Sequence, residues 1–498
     1  VCDVSEPHPP WHAPTRPLPT QHLGYPPAVD PYEPYPLYRD GYGDTLLGPP
    51  EPAPRRRRRR TLFIALGAVV ALLVSGAAVA GAAVWYGWGA TEPEDVLPGS
   101  SIAFARVDLS PGLGQALALQ SLARKFPSRP GGDDLVAQAE QNLTRELLAP
   151  LDFQTDVKPW LGDRLGTALW SPGGSATCTL TALASTDDAK ARAALARVAG
   201  ITYDFRSGYA VLARCDHGGT VSQALAAAAQ QSLSAQPAFG QAKGQLPGGQ
   251  AVLAWINGSQ YRAVAPASGT GLNGSSVLVG MKATDAGLEL RARIHSTSDT
   301  TDTAGADALS QLDGLPGASV VGLAADLRGV RGLNGDVTTA LDDLLREVHG
   351  GLTDLDRFVH DVAGSTVSLS LVDPESPAVK LLVEAGDGAS AADLAGLLRQ
   401  TLGPARGEVA VTGNTVSLTS PRYQGGSGRL ADNPLYRAAM ADPPANVVLA
   451  GYANVTDLAP SMKLTPDEAA QLAPVHAVGL SLGSSGGSAQ LLLRVVIS

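Results

Sequence analysis

The stretch "LPGSSIAFARVDL", Leu97 to Leu109, returns as "LPGASVVGLAADL", Leu315 to Leu327, with Leu, Pro, Gly, Ser, Asp and Leu at matching places. Further pairs follow in the same order. "SGYAVLA" at 207–213 answers "TGNTVSL" at 412–418, "LSAQPAF" at 233–239 answers "LADNPLY" at 430–436, and "AVLAWIN" at 251–257 answers "VVLAGYA" at 447–453. The series closes with "GLELRARI" at 287–294 against "SAQLLLRV" at 488–495. Each match alone is weak, but their collinearity reads as a tandem duplication of a unit of roughly 190 residues. The copies are set at residues 97–296 and 315–498.

Each copy reads as mixed α and β. The opening strand alternates at Ile102, Phe104 and Val107, and Leu119, Leu122, Ala123 and Phe126 then follow helical spacing. Val337, Leu341, Leu344, Leu345 and Val348 do the same in the second copy. Ser390 with Asp393 has the form of a capping box before Leu394, Leu397 and Leu398, and "DDAKARAALARVAG" holds the equivalent place in the first copy. "VLVGMKATDAGLELRARI" alternates around a turn, as a hairpin does. The expected fold class is α+β: two copies of a largely antiparallel sheet with helices on one face.

Ahead of the repeats, residues 1–54 hold 15 of the 37 prolines and 5 of the 12 tyrosines without apolar periodicity. Such a segment buries too little to offset its ordering entropy, so it reads as a disordered tail, either a solvated tether or a docking strip for a cytoplasmic partner. Arg55, Arg56, Arg57, Arg58, Arg59 and Arg60 come next, then an uncharged run of 23 residues from Leu62 to Val84, then Trp85, Tyr86 and Trp88. At ~1.5 Å per residue that run covers the ~30 Å hydrocarbon core, and a transmembrane helix is placed at residues 61–86. The arginines keep the N-terminus cytoplasmic and attract anionic membrane lipid, while the aromatics sit at the outer headgroups. Everything from about residue 89 onward is therefore expected outside the cell membrane.

That outer part carries 29 Lys+Arg against 40 Asp+Glu, with no basic cluster, which argues against nucleic acid as a partner. Candidate chemistry is sparse. "GSSGG" at 483–487 fits Gly-x-Ser-x-Gly, yet the equivalent "KATDAG" at 282–287 sits between two strands, so Ser485 belongs to a hairpin turn rather than a nucleophile elbow. His217, His295, His349, His360 and His476 show no metal-binding spacing, and no dinucleotide or phosphate loop occurs, so no metal, cofactor or catalytic residue is assigned. Asp108 and Asp326 occupy matching points of the copies, either as a shared pair of carboxylates or as turn residues. Cys178 and Cys215 are the two cysteines outside the tail, and a strand, helix, strand, strand path between them is expected to align them as a disulfide, the alternative being two separate buried thiols. Closing that loop stabilises by about 4 kcal/mol in the chain-entropy model.

"EDVLPGSSIAFARVDLSP" followed by "LARKFPS", directly after a basic, Pro-preceded membrane helix, resembles the actinobacterial family catalogued as domain of unknown function 3352. The resemblance implies an exported domain on a single-pass anchor and supplies no catalytic residues. The expected function is a non-enzymatic envelope protein whose duplicated ectodomain binds an envelope protein or cell-wall ligand, or serves structurally. The alternatives are an extracytoplasmic carrier of lipid or another apolar molecule, and an envelope hydrolase with dispersed residues.

Overall fold

The computed structural model describes residues 91–108, 113–126, 148–173, 176–216, 218–264, 275–295, 306–328, 364–375, 378–402, 407–485 and 488–498. All of these belong to one compact unit, Phe63–Ser498. The tail, the six arginines, the apolar run with its flanking aromatics, and the helix expected around Val337–Val348 lie outside the described residues. Among the described residues no helix is long and apolar enough to cross a membrane.

The fold is α+β, with sixteen strands in one antiparallel sheet. The first eight are β1 (Ala103–Asp108), β2 (Leu161–Gly173), β3 (Ala176–Ser185), β4 (Thr202–Arg206), β5 (Tyr209–Cys215), β6 (Val252–Asn257), β7 (Ser276–Thr284) and β8 (Gly287–His295). The second eight are β9 (Val321–Asp326), β10 (Thr366–Asp373), β11 (Ala378–Glu384), β12 (Glu408–Thr412), β13 (Thr415–Thr419), β14 (Val447–Asn454), β15 (Val475–Ser485) and β16 (Ser488–Ile497). Outward from the middle, one side runs β8-β7-β6-β1-β2-β3-β5-β4 and the other β16-β15-β14-β9-β10-β11-β13-β12. The strand order is the same on both sides.

The halves join where β8 pairs with β16. Turn matches Turn if Thr284–Gly287 is laid on Ser485–Ser488, and Arg291 then corresponds to Leu492, the residue it faces across the ladder. A local twofold axis perpendicular to the sheet passes through that pair. Because it reverses strand direction, β9 runs opposite to β1, and the two halves point their equivalent ends to opposite edges of the sheet.

The repeated phrase has a local cause. Ser101 Oγ donates to the Pro98 carbonyl at 2.6 Å and Ser319 Oγ to the Pro316 carbonyl at 2.7 Å, closing the same turn twice. Each turn is then latched to a distant partner phrase: Leu233 N–H donates to Leu97 O at 2.8 Å, and Leu430 N–H to Leu315 O at 2.7 Å. Beyond each latch an aromatic pair packs edge to face, Phe239 on Trp255 at 5.6 Å and Tyr436 on Tyr452 at 5.2 Å.

These contacts correct two alignments. Asn257 N–H bonds Ile102 O and Asn454 N–H bonds Val320 O, so Trp255 corresponds to Tyr452, one residue away from the sequence match. The turns between Arg206 and Tyr209 and between Thr412 and Thr415 likewise place Ser207 with Gly413, again a slip of one. With a side-chain period of two, each slip would have put every residue on the wrong face.

Helices cover both faces, not one. Along β5, Tyr209, Val211 and Ala213 join a core with helices α1 (Pro93–Val96), α4 (Val221–Gln230) and α5 (Pro237–Gly244). Ala210 and Leu212 face the other way into a core with α3 (Asp188–Leu195). Helix α2 (Leu113–Ala123) covers Ala283 and Leu288 through Leu119 and Leu122, while Ala123 turns to solvent. In the second half, α6 (Ala308–Asp313) and α8 (Pro434–Ala439) pack on one face and α7 (Gly388–Leu402) on the other. Helix α7 starts earlier than the expected capping box: Asp387, not Ser390, is the cap, accepting from Ser390 N–H at 2.8 Å. Asp187 does the same for Lys190 N–H at 3.0 Å in α3.

Candidate functional site

A cluster of buried charge lies where residues 91–97 meet the sheet. Strand β1 alternates, so Phe104 and Arg106 face the α1 side, and Arg106 is carried into a core position. Its Nη1 meets Glu92 at 2.5 Å and Glu94 at 3.0 Å. Lys243 on α5 reaches the same fully buried Glu94 at 2.6 Å, and Arg164 on β2 stands 3.5 Å from Glu92. Tyr209 Oη donates to the Thr91 carbonyl at 2.7 Å, and burial pushes its phenol well above the usual range. Pro93 packs over Gly166, where a Cβ would collide with it. Residues 91–97 are thus strapped to the first half by three cations, a phenol and a packed proline.

The second half lacks this cluster. Counting from the matched Leu97 and Leu315, Glu94 corresponds to Leu312 and Arg106 to Ala324; counting from Phe239 and Tyr436, Lys243 corresponds to Met440. Leu312, Ala324 and Met440 are all core residues there. The fold therefore forms without the charges. Sequence reasoning passed over Arg106, although a charged residue on the inward phase of "AFARVD" is the signal that could have found it.

A second network sits on the twofold seam. Glu289 is buried, accepts from Arg291 Nε at 2.7 Å and from Arg494 Nη2 across the β8–β16 ladder, and has Lys282 at 3.3 Å. Arg494 also donates to Ala441 O at 2.7 Å and meets Asp442 at 3.2 Å. Burial pushes the Glu289 carboxyl up, but the two arginines and Lys282 outweigh it and hold it at about 2.

Asp108 and Asp326 are not a shared carboxylate site. Six strands lie between β1 and β9, roughly 34 Å at ~4.8 Å per strand, and the two residues end their strands at opposite edges. Asp326 instead accepts from the Asp307 and Arg328 N–H groups at 3.0 and 3.2 Å, and the Arg328 guanidinium holds its carboxyl below the usual carboxylate range. Ser485 ends β15 opposite Ser488, at a strand-to-strand turn. Replacing it with alanine is expected to leave both stability and any function unchanged, and a lost hydrolytic activity would contradict the hairpin assignment.

His476 Nδ1 lies 3.0 Å from Thr456 Oγ1. His217, His349 and His360 lie outside the described residues. Among the described residues no group of three or more His, Cys, Asp or Glu could hold a metal ion.

Cys178 and Cys215 are joined by a disulfide with a Cα separation of 4.0 Å. They face each other on β3 and β5, and since Asp216 N–H donates to Thr177 O in the neighbouring pair, the cysteines occupy a non-hydrogen-bonded position, where antiparallel strands approach most closely. The path between them is strand, helix, strand, strand. Gly219 lies on the sulfurs with no room for a Cβ. The double substitution Cys178→Ala, Cys215→Ala is expected to cost roughly 2–4 kcal/mol in urea denaturation, and an unchanged midpoint would deny the bridge a stabilising role.

No family model matches the chain, and no curated protein matches it. Among solved structures, crystal form III of TP0453 is 8% identical over 67% of this chain and 94% of that one, with a TM-score of 0.17. Crystal form I of TP0453 gives 9% identity over 70% and 98%, with a TM-score of 0.16. Likeness at that level carries no argument.

Proposed function

We propose that the chain is a single-pass, membrane-anchored envelope protein of the kind implied by its resemblance to the actinobacterial domain of unknown function 3352 family. Its N-terminal tail and arginines lie in the cytoplasm, and residues 97–296 and 315–498 are two copies of one unit, carried outside as a non-enzymatic binding or structural module. The observation that carries this reading is the identical strand order of the two halves, each closed by the same turn and latch. The Cys178–Cys215 bridge supports an oxidising compartment. Protease added to spheroplasts tests it: degradation of the C-terminal part with survival of the tail supports the reading, and full protection of both contradicts it.

One feature favours a second reading, carriage of an apolar ligand such as a lipid. Across β6, β1 and β2 the row Ile256, Ala103, Leu169 is apolar, and Ile256 and Leu169 are each 37% exposed. A photoactivatable lipid added to the full chain separates the readings: adducts on Ile256 or Leu169 favour the carrier, and adducts confined to residues 61–86 favour the envelope module.

A further inference from the structure

Buried ion pairs seldom raise stability over an apolar core of the same shape. The second half shows the apolar solution in this very fold, with Leu312, Ala324 and Met440 where the first half has Glu94, Arg106 and Lys243. What distinguishes the first half is the chain that arrives there. Only residues 85–90 separate the end of the apolar run from Thr91, and six residues reach at most ~21 Å.

We propose that the strap Thr91–Leu97 is a rigid coupling that holds one particular edge of the sheet against the bilayer of its own anchor, so that the ectodomain is oriented rather than loosely tethered. The proposal rests on the membrane-anchor reading above. The edge is defined by geometry. Thr91 is bonded by Tyr209, the first residue of β5, which adjoins the Ser207–Gly208 turn. β1 ends at that side, and β7, two strands over and parallel to it, ends there too, which places the Asp285–Ala286 turn on the same edge. β6 runs the other way, so Ser259, just past its end, stands at the far edge. β7 is nine residues long, which puts about 30 Å between the edges. The carboxylates of Glu92 and Glu94 are held by side chains from β1, β2 and α5 together, so the strap is fixed to several elements at once.

The test uses the full chain with Cys2→Ser, reconstituted in phosphatidylglycerol/phosphatidylcholine nanodiscs containing headgroup-nitroxide lipid. A fluorophore is attached at Asp285→Cys or at Ser259→Cys, both exposed positions. Quenching is expected to be several-fold greater at 285 than at 259. A flexible Gly/Ser insert of about 30 residues between Ala90 and Thr91, which leaves the strap intact, is expected to abolish that difference. Equal quenching in the chain without the insert overturns the coupling, and so does a difference that survives the insertion. A chain that fails to enter the nanodisc overturns the anchor reading and the coupling with it, an outcome distinct from insertion with equal quenching.

Discussion

Replacing Gly287 with alanine is expected to lower the folding stability by roughly 4 kcal/mol or more, and replacing it with valine to prevent accumulation of folded protein. Gly287 opens β8 with φ +147, a conformation that side chains rarely adopt. An added Cβ would fall inside the carbonyl oxygen of Val495 and within 3.0 Å of the Ile497 nitrogen, both backbone atoms of β16. Neither can rotate away, so the collision must open the ladder that joins the halves. Gly200 supplies the contrast: its φ is +75, but a Cβ there meets nothing within 4 Å. Gly200→Ala is therefore expected to cost only about 1–2 kcal/mol for the strained backbone. Urea denaturation followed by tryptophan fluorescence measures both, and equal small effects would show that the seam yields easily.

Glu289→Ala is the second large effect. It leaves Arg494, itself buried, with only the exposed Asp442 carboxylate at 3.2 Å, and breaking a buried pair from one side costs roughly 3–5 kcal/mol. The pH profile gives an independent readout. The folded Glu289 carboxyl titrates at about 2, below its ordinary 4.5. Its contribution is therefore fully present above the ordinary value and is lost as the pH falls from about 5 towards 2. Stability of the unmodified chain is expected to fall through that window, and the variant is expected to fall less steeply. Parallel profiles would remove the ion network from the seam.

Much of this architecture was legible in local chemistry. The Pro98 and Pro316 turns close within four residues, so their phrases repeat visibly, and the Thr284–Gly287 and Ser485–Ser488 hairpins declare themselves through alternation on either side of a short turn. The one-residue slips at Trp255 and Ser207 arose because these strands are apolar on both faces, which erases the alternation that would fix register. Along β5 both faces are also buried, and helices lie on either side of it. The seam was invisible because Glu289 and Arg494 are 205 residues apart, and nothing in β8 or β16 taken alone names its neighbour. The strap cluster was half visible: Glu92 and Glu94 stand a few residues beyond the uncharged run, but only the inward phase of β1 shows that Arg106 lies beneath them.

In the proposed topology a cytoplasmic tail and six arginines hold a duplicated domain outside the membrane. Fusions to alkaline phosphatase, an enzyme active only outside the cytoplasm, test it most directly. Activity is expected for the fusion at Ser498 and not for one at Val1; activity at Val1 with none at Ser498 would contradict the account.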